Sequence, residues 1–413
     1  MKHLILIISL AIFSAVALAE NITLDEVISD SLQKNTSLYR IQREHEDKLA
    51  NATEITLLEN PELSVGAIHT KGENGIGMDL ELSQPLKLSQ LTGARIRYGD
   101  TLTQVANIEQ KYEMLKVINE TTMLYTRVWL LFERKKLYES YADDADQMRK
   151  LVQDSTSQGQ TSPAASYLFS ADAEKLRTDA KALDAELRQA RSSLGLLTGR
   201  SYISTELQRP TFTPITANIE RLQQFANTHA NFRNIVESRI EAAERRIKIA
   251  NQDAVLPEIT PRLFYSNAPS NEEDFFAEDE TFYGVGIALR IPIWNQNNAE
   301  RSRANAELAQ AQYEEDLLTG LPQKDLIEEL RQSASIMQER ADSYFKNILP
   351  TYRESYELTR SMFRQGQANA LEVWQVREKL LTAENEALDA VAQAINARGA
   401  LELELGGKIE EIL

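Results

Sequence analysis

The sequence contains no cysteine. A chain that leaves the cytoplasm without cysteine has no disulfide staples, so packing or assembly must hold it together. The same absence removes a thiolate metal site and an acylated N-terminal cysteine. Histidine is scarce as well. The four are His3, His45, His69 and His229, and no H-x-x-x-H spacing joins them, so no metal site is expected. A basic excess is lacking too. The net charge is −17, and −18 once Lys2 leaves with the leader described below. Phosphate binding needs a basic face, so no nucleic-acid partner is expected. No nucleophile–His–acid set and no phosphate loop is present, so neither catalytic residues nor a cofactor is expected. Beyond residue 19 no apolar run reaches the length of about 18 residues that a transmembrane helix needs. If the chain spans a bilayer, a closed β-barrel is the remaining way to do it.

What is present begins with a leader. Lys2 and His3 precede an apolar stretch, 4–13, which is too short to span a bilayer. Ala17-Leu18-Ala19 then gives an A-x-A cleavage site before Glu20. Residues 1–19 read as a secretory signal peptide.

The rest of the chain repeats itself. Gly159 in "SQGQTSPAASYL" and Gly366 in "RQGQANALEVWQ" stand 207 residues apart. Gly199 and Gly406 keep the same offset, and so do Pro85 in "LSQPLKL" and Pro292 in "LRIPIWN". A constant offset over more than a hundred residues indicates internal duplication. Pro61 and Pro257 differ by 196, so the second copy carries 11 extra residues, assigned here to the polar, acidic loop "SNAPSNEEDFFAEDETF". Repeat 1 is expected over 20–209, with a strand hairpin at about 61–86 and a helical tip at about 154–163. Repeat 2 is expected over 210–413, with a hairpin at about 257–293 and a tip at about 361–370.

The strands alternate. Met78, Leu80 and Leu82 oppose Asp79, Glu81 and Ser83; Val285, Ile287, Leu289 and Ile291 alternate with Gly286, Ala288 and Arg290. Leu63, Val65 and Ala67 repeat the pattern, and Pro261 weakens it at 259–264. Four strands cannot close a barrel alone, whereas a symmetric ring of copies can. A small soluble sheet fits the strands equally well. Phe264, Tyr265, Phe282, Tyr283 and Trp294 are placed as an aromatic girdle at the strand ends. Asp79, Glu81 and Arg290 are expected to face a barrel lumen. Glu272, Glu273, Asp274, Glu278, Asp279 and Glu280 lack the D-x-D-x-D-G grammar of a calcium loop and read as a polar loop.

The segments after the glycines carry a heptad. Val376, Leu380, Ala383, Ala387, Ala390, Ala394, Ala397 and Leu401 follow a 4-3 spacing. Their counterparts are Phe169, Ala173, Leu176, Ala180, Leu183, Leu187, Ala190 and Leu194. All sixteen are apolar, which predicts coiled-coil packing. A proline-free helix on the order of 100 Å long is expected over 89–153. Gly320-Leu321-Pro322 should kink its counterpart.

These features together resemble the TolC family of outer membrane efflux proteins, and within it most nearly the CzcC-type heavy-metal branch. The resemblance implies a mainly α fold with a β-barrel contribution: a homotrimer whose four strands per chain make one 12-stranded barrel in outer membrane lipid. A long α-helical coiled-coil tunnel extends from it into the periplasm. The glycine breaks, with Gln158, Gly159, Gln160, Gln365, Gly366 and Gln367, become tips that dock a periplasmic adaptor protein. Through that adaptor they reach an inner-membrane transporter of the resistance-nodulation-division (RND) type. Defining relatives close the tunnel with acids six and nine residues after the second glycine. Glu372 matches the first position, Gln375 departs from the second, and the first copy has Ala165 and Leu168 there. Heavy-metal cations are the cargo this resemblance implies, with drugs or a secreted protein as alternatives. A periplasmic coiled-coil scaffold without a barrel is the rival of another class.

Overall fold

A computed structural model describes residues 22–69, 76–157, 162–202, 206–255, 258–268, 280–294, 296–318 and 322–412. The leader, the acidic positions 272–274, 278 and 279, and the first-copy break with Gln158, Gly159 and Gln160 lie outside the described residues.

Repeat 1 begins with α1 (Leu24–Lys34) and α2 (Thr36–Thr56). Thr23 starts α1 with a capping box: its Oγ1 accepts from the Glu26 amide at 3.3 Å, and Glu26 Oε2 accepts from the Thr23 amide at 3.0 Å. The strands β1 (Glu62–Ile68) and β2 (Gly77–Ser83) follow, then α3 (Leu88–Leu91), α4 (Ala94–Ser157) and α5 (Pro163–Thr198). Repeat 2 runs through α6 (Ile219–Thr228), α7 (Phe232–Val255), β3 (Glu258–Ala268), β4 (Glu280–Arg290), α8 (Asn298–Leu318) and α9 (Gln323–Ser343). It ends with a π turn (Tyr344–Ile348), α10 (Leu349–Arg364), α11 (Ala370–Leu405) and a 3₁₀ turn (Ile409–Glu411).

The offset of 207 reappears in the elements. β2 and β4 end at Ser83 and Arg290, and α5 and α11 start and stop 207 apart. The insertion is placed differently from expectation. β3 and β4 have 11 residues each where β1 and β2 have 7, so eight of the 11 extra residues lengthen strands. Ser266, Asn267, Thr281 and Phe282, assigned to a loop by sequence, pair within the ladder.

The two copies differ most in their long helices. Gly93, at φ 69°, separates the short α3 from α4. The 64 residues of α4 make one helix of about 96 Å at 1.5 Å per residue. In repeat 2 the corresponding stretch is divided. α8 stops at Leu318 and α9 starts at Gln323, so the expected kink at Pro322 is a break between helices. A second interruption, the π turn, was not anticipated. It lies one turn before Pro350, which has no N–H to give the Lys346 carbonyl and whose ring crowds it; an extra residue in the turn relieves both.

The chain forms two compact units, each drawn from both repeats. The first comprises Met1–Leu38, Val117–Ile215 and Arg331–Gly399. Its core joins Tyr125, Val128 and Trp129 of α4 to Leu187, Ala190 and Leu194 of α5 and to Ala390, Val391 and Ala394 of α11. Thirteen of the sixteen heptad positions are buried; Leu183, Val376 and Ala397 are half-buried. The Tyr125 hydroxyl lies 2.9 Å from the Ile22 carbonyl and 2.7 Å from that of Gln208. It thereby ties the chain entry to the segment between the repeats.

The second unit comprises Tyr39–Lys116, Thr216–Leu330 and Ala400–Leu413. In it Ala94, Tyr98 and Val105 of α4 pack on Ala242 and Ile249 of α7. Asp253 of α7 accepts from the Ser89 amide, the Ser89 hydroxyl and Arg95, anchoring α3 and the start of α4. This unit also holds the sheet, whose strands are antiparallel in the order β1-β2-β3-β4. The β2–β3 pair joins the hairpin of one repeat to that of the other. Pairing with β3 runs on past Ser83, the Gln84 amide donating to the Pro261 carbonyl at 3.1 Å and Leu86 exchanging bonds with Ile259; Pro261 has no N–H to return the bond to Gln84, and the regular ladder stops there.

Candidate functional site

Two places carry the residues singled out by sequence: the turn between α10 and α11, and the sheet.

The turn closes as a Schellman motif. The Gln367 amide donates to the Met362 carbonyl at 2.9 Å, and the Gly366 amide to the Phe363 carbonyl at 3.0 Å. Both bonds require Gly366 in the left-handed region, where its φ is 73°. Asn369 then starts α11. Its Oδ1 accepts from the Glu372 amide at 2.9 Å, and Glu372 Oε2 accepts from the Asn369 amide at 3.2 Å. Asn369 Nδ2 also donates to Glu372 Oε1 at 2.9 Å. Glu372 is therefore the third helical residue of a capping box, and its carboxylate suits the positive end of the helix dipole. Gln365, Gln367, Glu372 and Gln375 are all exposed. Among the first-copy counterparts, Ser162 opens α5, its Oγ accepting from the Ala164 amide at 3.3 Å.

About two turns into α11 lies a group that sequence reasoning missed. Arg377 is 0% exposed. It donates to Asp144 of α4 at 3.1 Å, to Asp172 of α5 and to the Tyr141 carbonyl of α4. Its guanidinium also lies 5.1 Å from the Tyr141 ring centroid. Asp144 is shared with α10, accepting from the Tyr356 hydroxyl and pairing with Arg360 at 3.3 Å. Four helices thus meet around Arg377 and Asp144. Burial pushes the neighbouring Glu378 carboxyl above the usual carboxylate range; Asp172 adds to this and Arg377 opposes it. A signal was present in the sequence. Val373, Arg377, Leu380, Glu384, Ala387, Val391, Ala394 and Arg398 form a second 4-3 line beside the first, and all eight are buried. Three charged residues on an otherwise apolar heptad line mark buried polar partners. Glu384 is matched by Arg353 at 2.6 Å, and Arg398 donates to the Thr213 carbonyl at 2.8 Å.

On the sheet, register puts the predicted residues on one face. Asp79 and Glu81 of β2 share it with Glu62 and Ser64 of β1, Glu258, Arg262 and Phe264 of β3, and Arg290 of β4. Arg262 pairs with Glu81 at 3.2 Å and Arg290 with Glu258 at 3.0 Å. The opposite face carries Leu63, Val65, Met78, Leu80, Leu82, Leu263, Tyr265, Tyr283, Val285, Ile287 and Leu289. Val285 and Ile287 are 79% and 71% exposed, more than a soluble chain leaves in a continuous apolar face. The aromatic girdle needs correction. Tyr265 and Tyr283 are cross-strand partners on the apolar face, but Phe264 lies over Gly284 on the charged face. Phe282 falls on that charged face too, by its pairing with Ser266. Adjacent residues of a strand cannot share a face. Trp294, past the end of β4, is exposed.

Among the described residues no helix is long and apolar enough to cross a membrane, and no group of three His, Asp or Glu is placed to hold a metal ion.

The fold is similar to that of solved outer membrane channels. Residues 234–407 match the family described as outer membrane efflux protein. The channel-forming CusC aligns with a TM-score of 0.70 at 18% identity, over 93% of this chain and 92% of CusC. The outer membrane protein VceC of Vibrio cholerae aligns with a TM-score of 0.72 at 16% identity, over 94% of this chain and 96% of VceC. The open MtrE outer membrane channel of Neisseria gonorrhoeae aligns with a TM-score of 0.65 at 16% identity, over 94% and 89%. No curated protein sequence matches.

Proposed function

We propose that this chain is one subunit of a homotrimeric outer membrane channel, the exit duct of a tripartite efflux system in a Gram-negative bacterium. The observation that carries this reading is the sheet. It has one exposed apolar face, one charged face, and two free edge strands, β1 and β4, that run antiparallel to each other. Exposed edges and an apolar face together are a liability in water. Both disappear when β4 of one copy pairs with β1 of the next and the ring closes in lipid. Three copies give twelve strands, with the apolar face toward lipid and the charged face toward the lumen.

The duct is passive and the inner-membrane RND-type pump supplies the energy. The tips, with Gln158, Gly159 and Gln160 on one and Gln365, Gly366 and Gln367 on the other, dock the periplasmic adaptor. Three copies of Glu372 ring the closed mouth, Gln375 standing behind them without charge, and their mutual repulsion favours cations. The cargo is heavy-metal cations. This part rests on the overall likeness to the metal-efflux branch and on the acidity of the chain.

Fractionation and a sensitivity panel test the reading. The protein is expected in detergent-extracted outer membranes as a trimer, and a deletion strain is expected to be hypersensitive to divalent heavy metals. Extraction without detergent points instead to a soluble scaffold. Hypersensitivity to drugs alone moves the cargo away from metals.

A further inference from the structure

The repeats meet in the sheet through β2 and β3, and this junction is a template for the two strands left at the edges. Past Ser83 the Leu86 and Ile259 backbones exchange two bonds, at 2.9 and 2.8 Å. The strands β2 and β4 correspond at an offset of 207, and β1 and β3 start 196 apart. Carried by these offsets, Leu86 opposite Ile259 becomes Ile293 opposite Leu63. Ser83 opposite Arg262 becomes Arg290 opposite Gly66, and Glu81 opposite Phe264 becomes Ala288 opposite Ile68. Within one chain these partners cannot meet, because β1 and β4 are opposite edges of the sheet. The positions are bare accordingly. Ile259 is half-buried and Thr260 buried, whereas their counterparts Leu63 and Ser64 are exposed. Leu86 is half-buried, whereas Ile293 is 63% exposed.

We propose that β4 of one copy pairs with β1 of the next in this register, Ile293 opposite Leu63 and Ala288 opposite Ile68. The inference rests on the channel reading above and adds which residues meet where copies join. Two observations support it beyond the offsets. First, the register preserves the faces: Leu289 opposes Ala67 on the apolar face, and Arg290 opposes Gly66 on the charged one. A slip of one residue turns every apolar position to the charged face. Second, a slip of two keeps the faces but sets Arg290 against Ser64 or Ile68. Opposite Gly66 the long Arg290 side chain has no neighbouring side chain to block it. A Cβ on Gly66 would lie 3.4 Å from that of Asp79, so the guanidinium passing over Gly66 approaches a second acid besides Glu258.

The chain's lack of cysteine makes the register measurable. Counting from the bonded Leu86–Ile259 template, alternation makes Ala288 and Ile68 a non-hydrogen-bonded pair, with Cα atoms about 4.5 Å apart, within disulfide range. Inside one chain the two positions are three strand spacings apart, about 14 Å, and out of reach. The full chain carrying Ala288→Cys/Ile68→Cys is oxidised in membranes with copper phenanthroline and run on a non-reducing denaturing gel. Linked species of two and three copies are expected, about tenfold more abundant than from Ala288→Cys/Gly66→Cys or Arg290→Cys/Ile68→Cys, which report slips of two in either direction. Leu63→Cys/Ile293→Cys, bridged by a short bismaleimide, is expected to link copies as well, and decides alone if the first pair prevents assembly. Mass measurement of the parent and each variant in detergent separates the outcomes. A trimer in which a shifted pair links best, or in which no pair links, overturns the register and leaves the channel reading standing. A parent whose copies do not associate overturns both.

Discussion

Gly366→Ala isolates the conformational cost of the α10–α11 turn. Gly366 sits at φ 73°, and a Cβ added there has nothing within 4 Å. No contact is gained or lost, so the change measures the left-handed penalty of an L-residue, about 1–2 kcal/mol. Gly406, at φ 78° after the matching helix end, provides the contrast. A Cβ there falls 2.7 Å from the Ala230 backbone carbon and 2.8 Å from its oxygen. Backbone cannot swing away as a side chain can, so Gly406→Ala carries the same penalty plus displacement of the α6–α7 connection, about 3 kcal/mol or more. Gly366→Asn should recover much of the loss, because asparagine tolerates this region. Denaturant titration followed by helical circular dichroism gives the ranking, and hydrogen exchange at the Gly366 and Gln367 amides localises it. Equal costs at the two glycines, or an Asn as damaging as an Ala at 366, would refute the reasoning.

Four further outcomes follow from the geometry. Asp79→Asn is expected to lower cation preference, read as a smaller reversal potential across a salt gradient; no change places Asp79 outside the conducting path. Glu372→Gln preserves the capping box, since glutamine also accepts from the Asn369 amide, while removing charge. Helicity should hold while closed-state cation preference drops, and an unaltered preference disposes of the ring. Burial raises the Glu378 pKa, so its contribution is full below the unfolded carboxyl value of about 4.3 and is lost as pH rises through the folded value. Glu378→Gln should therefore raise the melting temperature at neutral pH and leave it unchanged in acid; the opposite pattern contradicts the burial. Tyr125→Phe removes the donor that faces the Ile22 and Gln208 carbonyls and should cost about 1–3 kcal/mol in a denaturant titration. A neutral result would show that water replaces it.

Duplication was legible because glycine and proline mark backbone geometry. Gly159/Gly366, Gly199/Gly406 and Pro85/Pro292 keep their offset, and among the described residues helix and strand ends fall at or just before Pro85, Gly199, Pro292, Gly366 and Gly406. The face assignment of Asp79, Glu81 and Arg290 was equally legible, since alternation along a strand is strict. The girdle failed on the same rule: Phe264 and Tyr265 are adjacent and must point apart. Extra strand length in β3 and β4 was hidden because Ser266, Asn267 and Thr281 have loop-like composition, and pairing with a neighbour overrides that preference. The π turn was missed for a related reason. Proline is expected to end a helix, whereas here Pro350 stands in the first turn of α10 directly after the π turn, whose extra residue lets the helical path continue. Arg377 escaped notice because one heptad line was followed. α11 is buried on two, and the second carries Arg377, Glu384 and Arg398.

Single-channel recording tests the central claim most directly. The purified full chain is reconstituted in a planar lipid bilayer, with its copy number fixed by mass measurement in detergent. The channel assignment predicts a trimer that inserts in discrete steps and conducts with a preference for cations. A monomer that extracts without detergent and leaves the bilayer silent would contradict it.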